Sequence, residues 1–212
     1  MKLASLFLLA SLLVPGNAPA PVSPAEALDR LKAGNTRFST GTSQAPRRDA
    51  DRIKDSAKGQ SPFAIVLTCA DSRLAPELIF DQGVGDLFVL RTAGNTTDEK
   101  MLGSMEFAVQ VLGARLIVVM GHEKCGAVEA AMGEANLPGN LPAVVAPIKP
   151  AVQTAKGKGL HETTLENVRV TARAIRAGSS AIAQMESKGE LKIVGANYEL
   201  GSGKATIFEV AR

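Results

Sequence analysis

The chain has no tryptophan, a single tyrosine and an aromatic content of only 4% over 212 residues. Its core must be aliphatic, and base-stacking platforms of the kind that grip single-stranded nucleic acid have little to draw on. A surplus of one charge is missing too: 24 Lys and Arg against 21 Asp and Glu leave +3. The densest basic stretch, Arg47, Arg48, Arg52 and Lys54, is interrupted by Asp49, Asp51 and Asp55. It reads as a solvated face of mixed sign, and no nucleic-acid partner is expected. The run from Leu3 to Val14 is too short for a membrane span, which needs about 20 apolar residues. With Lys2 before it and the small residues Gly16, Ala18 and Ala20 after it, it has the proportions of a signal peptide. Residues 1–20 are expected to be removed after Ala18-Pro19-Ala20, with cleavage after Gly16, an uncleaved anchor or a buried N-terminal helix as alternatives. The mature chain, residues 21–212, would then be periplasmic or secreted, with no membrane association after processing.

Cysteine and histidine are sparse, with two of each. Three of those four residues nevertheless fall in two short motifs, Cys69-Ala-Asp71-Ser-Arg73 and His122-Glu-Lys-Cys125. A Cys, His, Cys donor set suits Zn²⁺, whose preferred shell is tetrahedral with sulfur and nitrogen ligands. Three protein ligands leave one position over, as catalytic zinc sites do, provided Asp71 does not occupy it. In an exported chain two cysteines first suggest a disulfide, which would make this a non-catalytic binding domain with Cys69 bonded to Cys125. A disulfide has no need of an Asp and an Arg just after one cysteine, or of a His three residues before the other, so the motifs favour the metal.

The rest of the chain reads as alternating strands and helices. Ser23-Pro24-Ala25-Glu26 starts a helix with a capping box, expected to end at Gly34, so residues 23–38 look like a helical arm that packs on a partner. Apolar runs at 63–69, 86–91 and 116–120 predict three strands buried on both faces. Thr96-x-x-Glu99 predicts a helix over about 100–112, and further helices are expected at 76–80, 127–132, 163–176 and 179–187. Strands at 191–196 and 205–210 close the chain. This order predicts a single domain with an α/β fold, a mainly parallel sheet with flanking helices. Ligands of such sheets bind beyond the carboxyl ends of the strands, where Cys69 and His122 both fall.

These motifs, with Gly85-Asp-Leu-Phe-Val89, Arg91 to Asn95 and Gly121-His-x-x-Cys-Gly126, resemble the β-class carbonic anhydrases across most of residues 23–212. Gly59-Gln-Ser-Pro62 resembles the plant-type subgroup, which carries an active-site glutamine. The resemblance implies Zn²⁺ on Cys69, His122 and Cys125, and reversible hydration of CO₂ to bicarbonate and a proton by zinc-bound hydroxide. Asp71 and Arg73 would be the catalytic pair, with Asp71 reaching the metal only in a closed state. Gln60, Phe88, Ala93 and Phe107 would line the substrate pocket, Phe107 standing where the plant-type pattern has tyrosine. A homodimer or a higher multiple of dimers is implied, with the pocket at the dimer interface. A zinc hydrolase acting on CS₂ or COS is the enzymatic alternative.

Overall fold

A computed structural model describes residues 22–211, so the expected signal peptide lies outside the described residues. Ser23 caps α1 (Pro24–Ser39), its Oγ accepting the Glu26 N–H at 3.2 Å. The Glu26 carboxylate turns away to Arg30 at 2.6 Å, so only half of the expected capping box forms. The helix also runs through Gly34, which is there for close approach and is not a stop: a Cβ at this position would run into the carbonyl oxygen of Phe80. Next to it, Asn35 Nδ2 donates to Ile79 O at 3.1 Å and to Gly203 O at 2.9 Å, while its Oδ1 accepts the Ala205 N–H at 2.8 Å. Ala27, Leu28 and Leu31 are buried. The expected arm is therefore docked into the core of its own chain. Glycine to alanine inside a helix ordinarily stabilises by up to about 1 kcal/mol. Gly34→Ala is expected to do the reverse, costing about 1–3 kcal/mol as an overpacked contact, read as a lower thermal midpoint.

Asp49 caps a helix that the mixed-charge stretch did not suggest, α2 (Ala50–Ser56), which buries no residue and keeps its charges in solvent. Then follow β1 (Ala64–Thr68), α3 (Pro76–Ile79), β2 (Leu87–Arg91), α4 (Glu99–Gln110) and β3 (Leu116–His122). The cap of α4 is Asp98, whose Oδ1 accepts the Met101 N–H at 2.8 Å, and not Thr96. Next come α5 (Gly126–Met132), α6 (Leu141–Val145), α7 (Lys149–Thr154), α8 (Gly159–Gly178), α9 (Ser180–Ser187), β4 (Lys192–Tyr198) and β5 (Ala205–Glu209).

The five strands form one sheet in the order β2-β1-β3-β4-β5, with β1 to β4 parallel and β5 antiparallel on β4. Every residue of β1 and β3 is buried, as continuous apolar runs in a covered parallel sheet require. β2 differs from expectation: it is an edge strand, and only Leu87 is fully buried while Phe88, Val89 and Leu90 are partly buried. Side chains alternate between the two faces. Val66, Val118, Met120 and Val194 pack with Leu31 of α1, Ile79 of α3 and Val128 of α5. Ile65, Leu67, Ile117, Val119 and Ile193 pack on the other face with Met105 of α4, Val168 and Ile175 of α8, and Ile182 of α9. No helix among the described residues is long and apolar enough to cross a membrane.

Candidate metal centre

Cys69 is the first residue beyond β1, and His122 is the last residue of β3. These strand ends are tied together where Thr68 Oγ1 donates to Met120 O at 3.1 Å. After His122 the chain reverses through Lys124, whose φ of +52° lies in the left-handed region that a lysine rarely occupies. Cys125 then arrives as the N-cap residue of α5. One ligand atom from each of Cys69, His122 and Cys125 lies within 4.8 Å of the others, and all three residues are buried. Both thiols are free, so the disulfide expected in the binding-domain alternative does not form.

The electrostatics of this triad call for a cation. His122 Nδ1 is 2.8 Å from the Glu123 carbonyl oxygen, which fixes the Nδ1–H tautomer, and its Nε2 is buried with no hydrogen-bond partner. A buried acceptor left in this way costs about 1–3 kcal/mol unless something fills its lone pair, and a metal ion does so. Cys125 beside it is the main reason that the Cys69 thiol is pulled down to about 4, against the opposing effect of burial. His122 and the Gly94 N–H, which donates to Cys69 Sγ at 3.4 Å, add to the effect. The same contact, followed by burial, pushes Cys125 up. For His122, burial works against the charged form, yet the neighbouring Cys69 thiolate outweighs it and raises the imidazole, so that without a cation a proton is drawn onto the same Nε2 that a metal ion would fill. One proton is thus shared where two thiolates would repel each other. Two sulfurs and one imidazole nitrogen are the donors that suit Zn²⁺.

Asp71 and Arg73 form the pair that their spacing suggested. Arg73 Nε donates to Asp71 Oδ1 at 2.9 Å and Nη2 to Oδ2 at 2.7 Å, and the Arg73 N–H adds a bond to Oδ1 at 3.0 Å. Both carboxylate oxygens are engaged by arginine. The Arg73 side chain is the chief reason that Asp71 is held well below the usual carboxylate range, with burial opposing and the charge of His122 assisting. Its folded value lies below its unfolded one, so its contribution to stability is complete above the unfolded pKa, about 3.9, and is lost as pH falls through the folded value. Activity from neutral pH down to about pH 5 is therefore expected to show no ionisation belonging to Asp71. A pH–rate profile of wild type checks this.

Of the other residues that the resemblance implied, Ala93 lies beside Gly94, whose N–H reaches Cys69. Phe88 packs with the cluster on the opposite face of the sheet from Cys69 and Cys125. Phe107 is on α4, which covers that opposite face, and is 48% exposed. Gln60 is exposed in the segment between α2 and β1. One chain thus assembles the metal triad and the ion pair, but it does not bring Phe88 to them.

Asn167 was not legible as a site residue. It is fully buried on α8, and its Nδ2 donates to Gly94 O at 2.7 Å, setting the peptide whose neighbouring N–H reaches Cys69. Gly94 itself has φ +77°, and a Cβ there would lie 2.6 Å from Ile148 Cδ1, so the position calls for glycine. Asn167→Leu is expected to cost about 1–3 kcal/mol through an unpaired carbonyl and to weaken zinc binding by about 10-fold. Thermal melting and metal competition measure the two effects.

The carbonic anhydrase family profile matches residues 64–205, a span that contains every residue of the triad and the ion pair. Carbonic anhydrase 2 of Mycobacterium tuberculosis is 44% identical over 193 residues, covering 87% of this chain and 93% of that protein. A carbonic anhydrase of Pseudomonas aeruginosa is 33% identical over 167 residues, covering 72% of this chain and 76% of that protein. Among solved structures, the β-carbonic anhydrase CafA of Aspergillus fumigatus superposes with a TM-score of 0.69 at 26% identity, over 85% of this chain and 89% of that one. One of two tetrameric β-carbonic anhydrases from Sordaria macrospora shares the fold, with a TM-score of 0.69 at 21% identity over 83% of this chain and 93% of that one. A parallel sheet that delivers two thiols and an imidazole to one point, matched along most of the chain in sequence and in fold, leaves one assignment: this chain belongs to the β-class carbonic anhydrases.

Proposed function

We propose that the chain catalyses the reversible hydration of CO₂ to bicarbonate and a proton, with Zn²⁺ held by Cys69, His122 and Cys125. The observation that carries this reading is the buried triad, with its unpartnered His122 Nε2, beside a carboxylate paired to arginine. Bound zinc is a Lewis acid that makes water nucleophilic near neutral pH. Asp71, kept ionised by Arg73, accepts a hydrogen bond from the attacking water and so turns a lone pair towards carbon. The pairing of Arg73 with both Asp71 oxygens supports an open arrangement, since closure would require that ion pair to break.

CO₂ has no net dipole, so its pocket should be apolar with one or two donors for the oxygen that gains charge. Ala93 supplies part of this wall from the same chain. Gln60, Phe88 and Phe107 come from a neighbouring subunit, Gln60 donating its amide to a bicarbonate oxygen as in the plant-type subgroup. The half-buried edge strand β2, with Phe107 exposed on α4 and Val111 exposed just beyond it, supports a homodimer or a multiple of dimers. The leader-like residues 1–20 support a periplasmic or secreted location.

Stopped-flow CO₂ hydration by the mature protein, run beside CS₂ and COS turnover, tests the reading. Rapid CO₂ hydration with negligible CS₂ or COS hydrolysis is expected; the reverse order would replace carbonic anhydrase by the hydrolase alternative.

A further inference from the structure

We infer that Arg91 is a positioning residue of the metal centre: its guanidinium clamps the main chain of Cys69 and Asp71, holding the ligand sulfur and the orienting carboxylate in one frame. Arg91 closes β2 opposite Thr68 of β1. Beyond that pair the backbone ladder continues only briefly, with Thr92 N–H donating to Thr68 O and Ala70 N–H to Thr92 O, each at 3.1 Å. The Arg91 side chain then takes over. Its Nε donates to Cys69 O at 3.1 Å and its Nη2 to Asp71 O at 2.6 Å. The same Asp71 carbonyl also accepts the Leu74 N–H at 3.0 Å. Two arginines thus grip one short loop, Arg73 by the Asp71 carboxylate and Arg91 by the carbonyls on either side of Ala70.

The division of labour follows from guanidinium geometry. A planar fork reaches two acceptors at fixed separation, whereas an ammonium is a point donor that satisfies one of them well. Loss of the clamp lets residues 69–71 rotate as a unit. That displaces the Cys69 sulfur from His122 and Cys125, and it turns Asp71 away from the water that it orients. Arg91 touches neither metal nor substrate, so its effect passes through these two residues.

This inference rests on the proposed role of the triad as a zinc site, and its test is read first on the metal. Arg91→Met, Arg91→Lys and, as a control, Arg115→Met are compared with wild type as zinc-loaded full-length protein. Arg115 makes similar bonds, its Nη1 donating to Val109 O and Ala114 O, at the opposite end of the sheet strands. The measurements are zinc release to a chelator, melting temperature, and kcat and KM for CO₂. Arg91→Met is expected to release zinc about 10-fold faster and to lose about 10- to 100-fold in kcat, with KM little changed. Arg91→Lys should fall between it and wild type, and Arg115→Met should lower melting temperature without either effect. Zinc release from Arg91→Met at the wild-type rate would overturn the inference, as would an unchanged kcat in an active enzyme. A wild type that binds zinc but hydrates no CO₂ would sink the functional reading alone, since faster metal release from Arg91→Met would still establish the clamp.

Discussion

Asp71→Asn is expected to lower kcat/KM for CO₂ hydration by about 100- to 10,000-fold, the range for removing a positioned proton acceptor, while zinc content stays at the wild-type level. The amide keeps the size of the carboxylate but not its charge. In the native loop three donors from Arg73 converge on the two Asp71 oxygens, an arrangement that an asparagine amide cannot match because one of its two heads is itself a donor. Arg73 would then be left with half its partner, and the residue at 71 would no longer draw a hydrogen bond from the attacking water. The metal ligands do not include this side chain in the open arrangement, which is why metal content should not follow activity down. Parallel loss of zinc and activity would show that Asp71 acts on metal binding, contrary to the role given to it.

Cys125→Ser should have the larger effect, with hydration falling to the uncatalysed rate because the ion is no longer retained. A serine hydroxyl is a poor substitute for a thiolate on zinc, and the remaining pair, Cys69 and His122, would be short of a ligand. The same logic makes the metal part of the stability of the fold. A ligand present at about 1,000 times its dissociation constant stabilises the native state by about 4 kcal/mol. For a chain of this size each kcal/mol moves the melting temperature by about 2–4 °C. Stripping zinc from wild type is therefore expected to lower melting by roughly 10 °C, whereas Cys125→Ser should melt low with or without added zinc. Calorimetry of the four samples, with activity measured on each, decides the point.

The features carried by contiguous runs or by rare residue types were the legible ones. β1 and β3 announce themselves as unbroken apolar runs because both of their faces are covered, and the triad is visible because cysteine and histidine are so rare here. What sequence could not show was where one element leans on another. Gly34 resembles a helix stop until the Phe80 carbonyl is seen against it, and Asn35 gives no hint that it joins α1 to residues 79, 203 and 205. For that reason a helix packed into the core was expected to be an arm. β2 has the composition of a buried strand, but its place at the sheet edge is fixed by strand order, which the run itself does not encode. On α8 the apolar residues Leu165, Val168, Ala172 and Ile175 recur at helical spacing, although Leu165 is only half-buried, and that periodicity passes over Asn167, a polar residue on the same buried side that reaches the centre through Gly94. Arg91 was legible as part of a family segment but not as a clamp, since its partners are main-chain carbonyls that carry no residue signature.

Zinc-edge X-ray absorption on the purified wild-type protein tests the central claim most directly, because it counts and identifies the atoms around the ion. The predicted spectrum has two sulfurs at about 2.3 Å, one imidazole nitrogen at about 2.0–2.1 Å and one further light atom from solvent. A protein that carries no zinc and has its two sulfurs joined, or a shell with a single sulfur, would contradict it.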